Sequence, residues 1–157
     1  MDGEVIPSLE DVCACAALRS ASRAATQFYD LVLEPSELKV TQFTALKTIF
    51  EAGELAQWQF ARQHAIAVET LSRRLAALRR KGLIRVRVGA RHGERIYSLT
   101  DQGRQALAEA WPYWERAQKR FRQSVGEGQW QLLLQLCQRT VEAARKAEQL
   151  RAVNCAA

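Results

Sequence analysis

Between residues 62 and 95 the chain carries ten Lys/Arg against only Glu69 and Glu94. That is a local balance of +8 in a 157-residue sequence whose total is +6, so the remainder sums to −2. Evenly spread cations are merely solvated, whereas cations gathered in one segment form a footprint for a polyanion. The gathered type is mostly arginine, whose planar guanidinium matches two phosphate oxygens or the O6/N7 edge of guanine. A second chemistry lies in the thiols of Cys13, Cys15, Cys137 and Cys155. They are too few and too uneven for a secreted disulfide framework and are expected to stay reduced in a cytosol. The only histidines, His64 and His92, fall inside the basic segment. With no paired carboxylates or phosphate-cradling glycine loop in a setting that supports chemistry, the chain reads as a non-enzyme needing no cofactor or metal.

Periodicity supplies the elements that must position these arginines. Leu71, Leu75 and Leu78 recur at i, i+4, i+7 and predict a helix over residues 69–81, docked by that stripe. Thr70, Ser72, Arg73, Arg74 and Arg80 are left on its other faces. Residues 57–65, with Trp58, Phe60, Ala61 and Ala65, predict a shorter helix before it, and Ile66-Ala67-Val68 the turn between them. Gly82 is placed to end the long helix in a left-handed conformation. Residues 83–88 and 95–99 then alternate with a period of two, a hairpin whose tip is Gly89-Ala90-Arg91-His92-Gly93.

Upstream, residues 9–33 are Ala-rich, lack Gly and Pro, and read as one helix capped by Ser8 with Glu10 and Asp11 in its first turn. Pro35 ends it. Thr41 caps the next helix, which points Phe43, Leu46, Ile49 and Phe50 inward until Gly53 stops it. Downstream, Thr100-Asp101 opens a long helix through Leu107, Trp111, Trp114 and Phe121, with Pro112 as a kink point and Gly126 and Gly128 as breaks. Residues 129–153 align Trp130, Leu133, Leu134, Cys137, Val141, Ala144 and Ala147 on one face of a last helix, Cys137 reading as core. Three long amphipathic helices outside the basic motif cannot bury their faces well in a monomer, so dimerisation is expected.

A chain of this length with 48% hydrophobic residues suffices for one domain with helical extensions. It contains no run of about 18 uncharged apolar residues, and Met1-Asp2-Gly3-Glu4 is acidic. Neither a membrane span nor a secretory signal is supported, and the expected location is the cytoplasm.

Three stretches carry a family resemblance: Gln42-Phe43-Thr44-Ala45-Leu46; Thr70-Leu71-Ser72-Arg73-Arg74-Leu75 through Leu78-Arg79-Arg80-Lys81-Gly82-Leu83-Ile84; and Tyr97-Ser98-Leu99-Thr100-Asp101-Gln102-Gly103-Arg104. A helix, a basic stripe, Gly-Leu-Ile, a hairpin and Leu-Thr-x-x-Gly in that order make the chain resemble the MarR-type transcriptional regulators of bacteria and archaea over about residues 12–125. The resemblance implies a mainly α fold with a small β-hairpin wing. It divides into an N-terminal dimerisation helix (1–36), a winged helix-turn-helix DNA-binding lobe (37–104) and C-terminal dimerisation helices (105–157). It further implies a homodimeric repressor on a pseudo-palindromic double-stranded operator, released by an effector or by cysteine modification.

By position, Thr70, Ser72, Arg73 and Arg74 are the candidates for the major groove, with Arg73 first for direct readout, and Arg80 touches phosphate beside Arg79 and Lys81. The family's wing usually carries Asp-x-Arg near its tip. Here Arg91 and Gly93 occupy those positions and Glu94-Arg95 is the nearest substitute, so Arg91, His92 and Arg95 are assigned to wing contacts collectively. That departure keeps open a second function, a winged-helix interaction module or anti-repressor that does not bind DNA.

Cys15 lies eight residues before Arg23 and fourteen before Tyr29, a spacing that resembles the organic hydroperoxide-sensing branch of the family. In that branch a first-helix thiol is oxidised with help from tyrosines near the dimer interface; Tyr29 matches one, while Arg19 stands where another is usual. Three readings stay open. Cys15, with Tyr29 and Cys13, senses oxidants or electrophiles. Alternatively, the thiols bind a soft metal with Cys155 of the partner subunit, which requires the helix start to unwind because residues two apart on a helix point about 200° apart. Or they simply fill an Ala-rich interface. The resemblance also implies a small aromatic acid as effector, in a crevice for which Phe28, Tyr29, Trp111 and Trp114 are candidate walls.

Overall fold

The computed structural model describes residues 12–91 and 93–154. In chain order come α1 (Ala14–Leu33), a 3-10 turn (Glu34–Ser36), α2 (Val40–Ala52), β1 (Glu54–Ala56), α3 (Gln57–Gln63), α4 (Val68–Arg80), β2 (Ile84–Val88), β3 (Arg95–Leu99), α5 (Asp101–Val125) and α6 (Glu127–Asn154). The fold is mainly α with a wing, as the sequence predicts. The wing hairpin gains a third strand, because β3 pairs antiparallel with both β2 and β1, setting Ile84 opposite Leu99 and Glu54 opposite Ser98. Three residues are too few to register as an alternating pattern, which is why β1 has no sequence signature.

One core holds the lobe together. Phe43, Leu46 and Ile49 of α2 are buried with Leu71, Leu75 and Leu78 of α4, Leu33 of α1, Leu83, Ile84, Tyr97 and Leu99 of the wing base, and Leu107 and Ala110 of α5. Each fully buried leucine contributes about 1.5–3 kcal/mol. Phe50 does not join them. At four residues beyond Leu46 but only one beyond Ile49, it falls at the edge of the buried stripe and is 51% exposed.

Several helix boundaries differ from expectation. α1 starts at Ala14, with Cys13 in extended conformation at its N-cap, so Val12 and Cys13 precede the helix; Ser8, Glu10 and Asp11 lie outside the described residues. Thr41 does not cap α2. Lys39 occupies the N-cap, where Gln42 Oε1 accepts its amide at 3.1 Å and Asp30 Oδ1 of α1 accepts that of Val40 at 2.7 Å. A longer side chain and a neighbouring helix satisfy the free amides that Thr41 was expected to serve. Only Gly126 (φ +93°) separates α5 from α6, since Gly128 is helical, and α5 runs unbroken through Pro112. α6 packs on α5 through Trp130 against Phe121, and further along Arg145 donates to the carbonyl of Arg62 at the end of α3. Most of its remaining side chains through Ala147 are exposed. Cys137 is among them, lying between the contact of Trp130 and that of Arg145, and among the described residues it is exposed rather than core.

The Leu-Thr-x-x-Gly stretch is a backbone junction. Gly82 turns left-handed (φ +71°), and Thr100 Oγ1 donates to its carbonyl at 2.7 Å while accepting the amide of Gly103 at 2.9 Å. The amide of Thr100 bonds the carbonyl of Leu83 at 3.2 Å. Gly103, in the first turn of α5, lies so close that a Cβ there would be driven into the carbonyl oxygen of Leu83. Gly→Ala in an open helix gains about 1 kcal/mol. At Gly103 the same change should cost about 2–3 kcal/mol instead, read from urea denaturation midpoints; an unchanged or higher midpoint would show that the junction can yield.

Candidate nucleic-acid interface

α3 and α4 are set against each other by a buried amide. Gln57 Nε2 donates to Ser72 Oγ at 2.5 Å and reaches the carbonyl of Val68 at 3.4 Å, and Ser72 itself donates to that carbonyl at 2.9 Å. A buried amide must be paired, so the first position of α3 fixes the start of α4. Between the helices Ala65 takes a left-handed φ of +49°, and the amide of Ile66 closes on Ala61 O at 3.0 Å. The sequence reading missed Gln57; its signal was a polar residue at the head of a short apolar helix.

With Leu71, Leu75 and Leu78 buried, about 100° of rotation per residue distributes the other side chains of α4. Arg73 and Arg80 fall opposite the core and are exposed. Ser72 and Arg79 face the wing, where with Leu75, Ala76, Arg80, Val86, Arg95 and Tyr97 they line a cleft of about 310 Å³. Burial pushes the Tyr97 hydroxyl above its usual range, opposed by the cations of Arg95 and Arg79. Thr70 and Arg74 face the other way. The candidate contacts thus occupy three sides of the helix, and the hydroxyl of Ser72 is spent inside the motif.

On the wing, Arg87 is held by Glu54 through two hydrogen bonds of 3.1 and 2.5 Å, which lowers the Glu54 carboxyl below the ordinary range. Arg91 lies over the ring of Trp58 at 5.8 Å, and Arg95 points into the cleft. His92 lies outside the described residues. Among the described residues, no carboxylate pairs with Arg73, Arg74, Arg79, Arg80 or Arg95.

Arg74 borders an open pocket of about 260 Å³ between α1, α2, α3 and α4, with Thr26, Thr44, Phe60, His64 and Ile66 in its wall. His64 stacks on Phe60 (4.7 Å between centroids), and its Nε2 is 3.0 Å from Thr48 Oγ1, whose proton goes to Thr44 O at 2.8 Å. Burial, then the positive charge of Arg74, lowers the His64 pKa. The aromatic residues expected to wall a crevice also join the packing between helices, and Trp114 borders an open pocket with Gln118 and Arg122. Phe28 and Tyr29 pack on Phe121, and Trp111 and Trp114 pack on Phe43 at 5.9 and 5.5 Å, clamping α1 and α2 to α5.

Cys13 and Cys15 are exposed, and Cys155 lies outside the described residues. Tyr29 is not brought to Cys15 within the chain. Fourteen residues of one helix span about 21 Å, and the Tyr29 hydroxyl instead donates to Gln118 Oε1 at 2.5 Å, its pKa raised by burial. Because Cys13 precedes the helix, the opposed directions expected of two helical cysteines do not apply. No helix among the described residues is long and apolar enough to cross a membrane, and no group of three metal-ligating side chains is assembled among them.

No family model matches the chain, and no curated protein matches it. Solved structures do. The M. tuberculosis transcriptional regulator MosR, in complex with DNA, is 34% identical at a TM-score of 0.78, over 87% of this chain and 98% of that one. A second MosR structure is 37% identical at a TM-score of 0.73 with the same coverage. MarR from E. coli, a cysteine-to-serine mutant complexed with operator DNA, is 14% identical at a TM-score of 0.73 over 85% and 99%, a likeness of fold alone.

The His64 environment generates a pH signature. A depressed native pKa means that the unfolded chain binds the proton more readily, so stability should be complete above the ordinary histidine range and fall as pH drops through about 6.5 toward the native value. His64→Gln should flatten that part of the stability-pH curve in denaturation series from pH 8 to 5, while an unaltered slope would assign it to other groups.

Proposed function

The chain belongs to the MarR family of winged helix-turn-helix transcriptional regulators, and we propose that it represses transcription in the cytoplasm as a homodimer on a pseudo-palindromic operator. The observation that carries this reading is the outward face of α4, where Arg73 and Arg80 stand exposed with no carboxylate partner among the described residues, beside a cleft lined by Arg79 and Arg95. A helix so presented fits the major groove, and two of them about 34 Å apart fit successive half-sites. Arg73 reads a base edge with Thr70 beside it, and Arg80 holds phosphate. Ser72 contributes by setting the helix in place through Gln57 and the carbonyl of Val68, and Arg74, exposed on the flank of α4, joins Arg73 as a candidate for the groove. Arg91, His92 and Arg95 serve the wing.

Residues 37–104 act as the DNA-binding lobe, and residues 1–36 and 105–157 as the dimerisation helices. Exposed Leu18 on α1 and Leu132, Leu134 and Leu136 on α6 support a second copy as the partner of these helices. Exposed apolar side chains in such number on two long helices call for a covering surface.

Release follows effector binding or thiol modification. The pocket beside Arg74 and His64 suits a small aromatic acid, since a cation and hydroxyl groups border an apolar wall and the same arginine belongs to α4. Cys15 and Cys13 are exposed and open to oxidants.

Affinity for duplex DNA should fall by orders of magnitude between about 50 and 200 mM salt; a flat response would favour a protein-interaction module instead. Selection of bound sites from random DNA should return a two-fold symmetric motif. Arg73→Ala should cost about 1–3 kcal/mol of operator affinity and blur base preference, whereas Arg80→Ala should weaken all sequences alike. Mild hydroperoxide should release wild type but not Cys15→Ser; equal loss in both would exclude Cys15 as the sensor.

A further inference from the structure

The wing tip is fastened to α3 by one carboxylate. Glu94 Oε1 accepts the indole N–H of Trp58 at 3.1 Å, and Oε2 lies 3.4 Å from the amide of Arg91. The backbone closes around it, with Gly89 N on Glu94 O at 2.9 Å and Glu94 N on Arg91 O at 3.0 Å. The carboxylate occupies the space that a Cβ on Gly89 would fill, and the guanidinium of Arg91 lies over the face of the same indole. Pairing of β1 with β3 stops at Ile96, so ladder hydrogen bonds from β1 do not reach this tip.

We propose that Trp58 and Glu94 are positioning residues that fix the angle at which the wing meets the duplex. This rests on the DNA-binding reading above. A carboxylate on a wing would repel phosphate. Turned onto an indole N–H and a backbone amide, its oxygens are engaged within the wing, while Arg91 over the indole and Arg95 at the cleft have no carboxylate partner among the described residues. Fastening the tip to α3, which is itself joined to α4 through Gln57, makes wing and recognition helix one rigid reader, so the order of the wing is settled before DNA arrives.

Two measurements on the full-length protein test this. Without DNA, exchange of the backbone amides at positions 89 and 94 should accelerate about tenfold or more in Trp58→Phe, Glu94→Ala and Gly89→Ala. Glu94→Gln, which keeps an oxygen for the indole, should retain protection. With the selected operator, the same three variants should each lose about tenfold in affinity, and Trp58→Phe combined with Glu94→Ala should lose no more than either alone. Exchange unchanged by Trp58→Phe and Glu94→Ala overturns the fastening. A loosened wing with undiminished operator affinity, or fully additive losses, overturns the positioning role. A wild type that binds no duplex while its tip amides stay protected defeats the DNA-binding reading, and with it any use of the fastening on DNA, but not the fastening itself.

Discussion

The burial of Leu71, Leu75 and Leu78 against Phe43, Leu46 and Ile49 is the constraint from which the interface follows. A helix is a rigid cylinder, so fixing one face fixes all of them. Three buried leucines contribute several kcal/mol together, whereas an exposed ion pair contributes at most about 1 kcal/mol. The core therefore decides where the arginines of α4 point, and the arginines themselves have little say. Arg73 and Arg80 are turned outward, Arg79 toward the wing, and Arg74 toward the pocket beside His64.

The wing inherits its position from two joints of different chemistry. At its base, Gly103 lies against the backbone of Leu83, where a Cβ would not fit, and Thr100 ties the two turns together through its amide and hydroxyl. At its tip, side chains do the work through Glu94 and Trp58. Two acidic residues beside the wing are engaged by neighbours, Glu54 by Arg87 and Glu94 by the indole of Trp58. Glu54 is offset by the guanidinium of Arg87, while Glu69 in the first turn of α4 stays exposed and favours the helix N-terminus.

α1 and α6 stand apart from this arrangement. The aromatic clusters of Phe28, Tyr29 and Phe121, and of Phe43, Trp111 and Trp114, hold α1 and α2 to α5, yet the start of α1 and most of α6 find no cover within one chain. The exposed thiols lie on these uncovered stretches, with Cys15 about 21 Å along the helix from the tyrosine whose spacing first suggested a sensor pair. A joint role for those two residues requires the tyrosine of a second copy.

The sequence by itself determined the order of elements and the docking face of α4, because a 3.6-residue period of leucines and a two-residue period in the hairpin are local properties that survive without knowledge of the fold. Gly82 and Thr100 were legible for the same reason, each serving a need of its own turn. Only the tertiary structure decided what depends on distant neighbours: the strand β1, the capping of α2 by Asp30 across from α1, the exposure of Phe50 and Cys137, and the pairing of Gln57 with Ser72. It also decided which arginines face outward together, and that Glu94 looks toward Trp58, thirty-six residues earlier in the chain. Such contacts have no period and no motif, since they arise where packed elements happen to bring two side chains within hydrogen-bonding reach.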